Sequence, residues 1–155
     1  MKRPHLWAVE GPPGDYEVLM IAASAAGLRV GWLEMAEVVD PPSGLGEAAE
    51  AGALRAVALA PGWTVTAKRR KGEPVLDDLL REHFLGCRLV LLAGRPPGNP
   101  PLPRLSRANA SSPNGAAKGV ASDAALWRLA SPDESAETAT LTTEDLLTRL
   151  RRPAR

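Results

Sequence analysis

The sequence predicts an α/β or α+β fold: a single domain with a mixed sheet of about five to six strands, an N-terminal βαβ unit, a β-hairpin, and helices packed on the sheet. Three observations carry this expectation. "HLWAV", "DYEVLMIAASAAGL" and "RVGWLEM" follow one another as an apolar run, a helical stretch and a second apolar run, the pattern of two parallel strands joined by a crossover. "LRAVALA-PG-WTVTAK" sets a Pro-Gly turn between two β-type runs. "CRLVLLAG" is an unbroken apolar run, the mark of a strand covered on both faces.

Each element has a local reason. "DYEVLMIAASAAGL" ends at Gly27, a helix stop. "SGLGEAAEAGAL" predicts a short second helix weakened by its glycines. In the hairpin, Trp63, Val65 and Ala67 alternate with Thr64, Thr66 and Lys68, so one face is apolar and the other polar. "EPVLDDLLREHFLG" is the clearest helix: Pro74 suits its first turn, and Val75, Leu76, Leu79, Leu80, His83 and Phe84 form one stripe. Residues 95–119 are rich in Pro, Gly, Ser and Asn, which predicts a long irregular loop or disordered insert. Residues 124–152 complete the domain with the strands "ALWRLA" and "TATLT" and the helix "TTEDLLTRLRR", where Thr142 caps and Asp145 completes a capping box.

Composition narrows function. At 155 residues, with 45% apolar and 24% charged side chains, the chain can bury one core and is neither a disordered nor a fibrous sequence. A formal net charge of +1 provides no global field toward nucleic acid or an anionic membrane. The stretch "MKRPHLWAVEGPP" has two cations but no sustained apolar run, so it is not expected to act as a secretory signal, and no run reaches membrane-spanning length. One cysteine, Cys87, excludes an internal disulfide and fits a reducing compartment, so the expectation is a cytoplasmic protein without membrane contact.

"VEGPPGDYEVLM" raises the sharpest functional question. A phosphate cradle is rejected: the stretch lacks the lysine and hydroxyl of a P-loop and the glycine spacing of a dinucleotide site, and its two prolines remove backbone donors. A metal corner is the second reading. Glu10 and Glu34 fall near the carboxyl ends of the first two strands, with Asp15 just above, and three carboxylates together suit Mg²⁺. The third reading is structural: Gly11 to Gly14 make a turn and Asp15 caps the helix.

The strand ending in "VEG" and followed by "PPGDYEVLMIAASAAGL" resembles the first βα unit of Toprim domains. That resemblance implies a Mg²⁺-dependent protein acting on nucleic-acid phosphodiesters, with Glu10 as the catalytic acid–base and Asp15 or Glu34 assisting the metal. It covers about the first fifth of the chain. The D-x-D pair of that family is absent from this sequence.

Two further clusters invite chemistry. "KRRK", Lys68, Arg69, Arg70 and Lys71, is a candidate anion site beside a helix start. Glu73, Asp77 and Asp78 lie close enough to neutralise it, and no aromatic is interleaved for base stacking. His83 and Cys87 are four apart across a glycine, too few ligands for zinc, and would otherwise be a nucleophile pair. "NPPLPRL" reads as loop filler before a docking segment. No nucleophile, base and orienting partner assemble. The sequence therefore points to a small α/β module with no cofactor and no catalytic centre of its own. Its expected partner is another protein or a second copy of itself, met at the hairpin edge with its basic end; nucleic acid is a less favoured partner.

Overall fold

The computed structural model describes residues 3–36, 43–68, 72–96, 98–108, 125–132 and 138–153. A six-stranded mixed sheet runs in the order β2-β5-β1-β6-β7-β8. Its strands are β1 (His5–Val9), β2 (Val30–Met35), β5 (Leu89–Gly94), β6 (Arg104–Arg107), β7 (Leu126–Ala130) and β8 (Ala139–Thr142). β1, β2, β5 and β6 pair in parallel, whereas β7 is antiparallel to both of its neighbours. A separate two-stranded sheet joins β3 (Arg55–Ala60) to β4 (Trp63–Lys68). The helices are α1 (Glu17–Ala25), α2 (Ser43–Glu50), α3 (Leu76–His83) and α4 (Thr143–Arg151).

The mixed α/β domain expected from the sequence is present, with one change of order inside it. β1, α1 and β2 form the N-terminal βαβ unit, but β5 lies between its two strands. β5 earns that place by composition. Leu89, Val90, Leu91 and Leu92 have no solvent exposure, so only a central position with both faces covered suits them.

The core lies on one sheet face. Trp7, Val9, Leu89, Leu91, Leu105, Trp127 and Leu129 meet Tyr16 and Leu19 from the α1 side and Leu146 and Leu150 from α4. On the opposite face Phe84, just after α3, lies against the backbone of Gly31 in β2, where any Cβ would overlap the ring. α4 is fixed at both ends. At its start Thr142 Oγ1 accepts from the Asp145 backbone N–H at 3.1 Å while Asp145 Oδ2 accepts from the Thr142 backbone N–H at 3.0 Å, the expected capping box. At its end the Arg88 guanidinium donates to the Leu150 and Arg152 carbonyls, and the His5 ring bonds the Arg152 carbonyl at 2.9 Å.

Three local expectations differ. β6 lies inside the 95–119 segment expected to be irregular; with Leu105 as its one buried residue, it takes its form from β1 and β7 on either side. Residues 97 and 109–119 of that insert, and 120–124 after it, lie outside the described residues. α3 begins at Leu76 with Val75 as its N-cap, so Pro74 precedes the first turn. Val75 and His83, placed on the buried stripe, are exposed, because an eight-residue helix buries a narrow strip centred on Leu79. No described helix is long and apolar enough to cross a membrane.

Candidate functional site

The turn after β1 is held by a tyrosine. Pro13–Tyr16 forms a 3-10 turn that leads into α1. The Tyr16 hydroxyl donates to the Glu10 carbonyl at 2.8 Å, accepts from the Glu10 backbone N–H at 3.3 Å, and lies 3.3 Å from the Leu105 carbonyl. Its ring stacks on Trp127 with centroids 5.9 Å apart and tilts against Trp32 at 6.0 Å. Burial pushes the Tyr16 phenol above its ordinary range, against the lowering effect of the bond to Glu10.

Asp15 does not cap α1. It sits in the 3-10 turn, the N-cap of α1 is Tyr16, and neither N-terminus has a side-chain capping bond. Gly11 has φ 91°, and a Cβ there would lie 2.6 Å from Asp15 Oδ2. The carboxylate thus folds over the glycine, at the place where a phosphate cradle needs room and donors.

The three acids proposed for Mg²⁺ are not gathered. Glu10 follows β1 directly, and its Oε1 lies 3.5 Å from Arg104 Nη1. Glu34 is on β2, in register with Ala93 of β5, which in turn pairs with Val9. Two strand spacings, about 10 Å, therefore separate the two positions across the sheet. Glu34 shares the face of Val9, and Arg104 shares the face of Ala8, so Glu10 is drawn to the opposite side. Among the described residues no group of three or more His, Cys, Asp or Glu side chains is placed to hold a metal ion.

Of the basic cluster, Lys68 is described, and Arg69, Arg70 and Lys71 lie outside the described residues. Lys68 Nζ is 2.6 Å from Glu82 Oε1 on α3, and Arg55 Nη2 is 3.7 Å from the same oxygen. One carboxylate thus draws the base of both hairpin strands to α3. His83 ends α3 and Cys87 follows the turn at Gly86, with the Cys87 N–H bonded to the Phe84 carbonyl at 3.0 Å. Burial pushes the Cys87 thiol up, and the nearby Arg29 charge offsets this in part, the opposite of an activated nucleophile.

The hairpin is the most exposed apolar feature. Its register pairs Ala56 with Ala67, Ala58 with Val65 and Ala60 with Trp63. Paired residues share a face, so this face carries six apolar side chains and no polar one. α2 packs on both strands. Near that base Ala56 is buried and Ala67 half-buried, whereas Trp63 at the tip is 75% exposed. Leu59, 78% exposed, adds apolar surface on the other face. Pro61 and Gly62, φ 80°, make the connecting turn. The sequence signal for this surface was the alternation in "WTVTAK"; Tyr16, Arg88 and Glu82 carried no such signal.

No family model matches the chain, and no curated protein matches it. Among solved structures it is similar to a MobB protein homolog from Bacillus stearothermophilus, with a TM-score of 0.41 and 24% identity over 64% of this chain and 60% of that one. It is similar also to MobB of Bacillus subtilis in two structures. One has a TM-score of 0.45 and 21% identity over 64% of this chain and 65% of that one. The other has a TM-score of 0.44 and 20% identity over 65% and 62%. In each case the match spans less than two thirds of the MobB chain.

Proposed function

We propose that this chain is a protein-association module that docks through the β3–β4 hairpin, onto another protein or onto a second copy of itself. The supporting observation is the apolar face of Ala58, Ala60, Trp63 and Val65, which continues past the cover of α2 into solvent. Two-stranded hairpins are marginal alone and gain from a third layer or strand. The unpaired edges of a two-stranded sheet are templates for another strand. An exposed tryptophan amid small apolar neighbours is also the residue type that anchors protein interfaces.

Sedimentation across a concentration series, with a photo-crosslinker at Ala58, which pairs with Val65 on that face, separates the two kinds of partner. Wild type should form a dimer or a defined cross-linked product. Trp63→Ala with Val65→Ala should lose it while keeping the far-UV spectrum of the main sheet. A wild-type monomer with no cross-link, or a product unchanged by the double variant, sinks the reading. Mg²⁺-dependent nicking of DNA that disappears in Glu10→Gln would favour the Toprim-like reading in its place.

A further inference from the structure

β3 and β4 make an unequal pair. From Ala56 to Ala60 every residue of β3 is apolar, so neither of its faces is polar there. β4 alternates, with Thr64, Thr66 and Lys68 on the face away from Ala67. An unbroken apolar run is the mark of an interior strand, the place β5 holds in the main sheet. Alternation that ends in a lysine suits an edge. Yet β3 has β4 on one side only. Among the described residues no backbone group outside the hairpin bonds to it, and Val57 and Leu59 are 50% and 78% exposed. β3 is composed as an interior strand and left at an edge.

We propose that the missing neighbour is β3 of a second copy of this chain, paired antiparallel about Ala58 in a four-stranded sheet of order β4-β3-β3-β4. The proposal rests on the hairpin as the docking element and adds which edge meets which partner. Directly opposed residues of an antiparallel pair share a face, so the hairpin register fixes each row across this sheet. On one face Val57 stands opposite the partner's Leu59, with Thr66 on one side and the partner's Thr64 on the other. Apolar groups meet in the middle and hydroxyls take the edges.

On the other face one row runs from Trp63 through Ala60 to the partner's Ala56 and the partner's Ala67. The bare tip of each hairpin thus lies beside the base that α2 covers in the other copy, with two small residues under the Trp63 ring. Arg55 falls beside the partner's Pro61, past the end of the ladder, so no cation of one copy opposes a cation of the other. A strand that is its own complement on both faces makes a closed two-fold contact.

Sedimentation equilibrium of the full chain should show a dimer. Val57→Lys with Leu59→Lys sets like charges opposite each other in both inner rows and should give a folded monomer with Trp63 and Val65 untouched. Val57→Lys with Leu59→Glu sets opposite charges in the same rows and should restore the dimer. In a Cys87→Ser background, Ala58→Cys should form an intermolecular disulfide on mild oxidation, because Cα atoms across such a pair lie about 4.5–5.5 Å apart. Val65→Cys, three strand spacings or about 14 Å from its counterpart, should not. A wild-type monomer overturns the proposal, and docking of the hairpin onto a different protein is then read separately from the Ala58 cross-link. Failure of the Lys–Glu combination to restore the dimer, or of Ala58→Cys to form the disulfide, overturns it too. So does a dimer that survives Val57→Lys with Leu59→Lys but is lost in Trp63→Ala with Val65→Ala, a result that keeps the hairpin face as the docking surface. A dimer indifferent to both pairs of changes sinks the two readings together.

Discussion

Tyr16 shows what one side chain does for the corner after β1. A phenol hydroxyl that serves both the N–H and the carbonyl of Glu10 fixes the direction in which the chain leaves the strand. Removing it in Tyr16→Phe leaves those groups short of a partner and should cost about 1–3 kcal/mol in urea unfolding. The pH dependence has a definite sign. Burial raises the folded-state phenol pKa, so its contribution is complete below the unfolded value of about 10 and is lost as pH rises through the folded one. Wild type should therefore lose stability in that alkaline window more steeply than Tyr16→Phe. The sequence concealed this role, because a lone tyrosine beside a glycine-proline turn has no periodicity. The capping box at Thr142 and Asp145 was readable, since both partners lie three residues apart and need no tertiary neighbour.

At the level of elements, strength of local pattern separates what the sequence disclosed from what it hid. β5 and the β3–β4 hairpin follow from an apolar run and from alternation. β6 does not, because "RLSR" becomes a strand through the backbone groups offered by β1 and β7. The same limit applies to the metal corner. Sequence order put Glu10 and Glu34 at the ends of consecutive strands, and the insertion of β5 between them was invisible locally. Packing between α3 and β2 is equally non-local. Gly31 leaves space for the Phe84 ring, so Gly31→Ala should displace Phe84 and cost about 1–3 kcal/mol by overpacking. Chemical denaturation reads this directly, and an unchanged midpoint would show that the ring moves aside freely.

For the molecule as a whole, the sheet and the hairpin divide the work. The six-stranded sheet carries the buried aromatic and leucine core, while β3 and β4 stand as a second sheet covered at its base by α2 and linked to α3 through Glu82. The placement of β5 also sets a timetable for the growing chain. Residues 1–36 contain both outer partners of the β2-β5-β1 triplet, yet their shared neighbour emerges only after the hairpin and α3 have been made. These first two strands must wait, unpaired, for a strand synthesised more than fifty residues later, a long loop to close and a slow kind of contact to form. Ribosome-bound chains ending near residue 70 should show no protease-resistant N-terminal core, and protection should begin once residues 89–94 clear the exit tunnel.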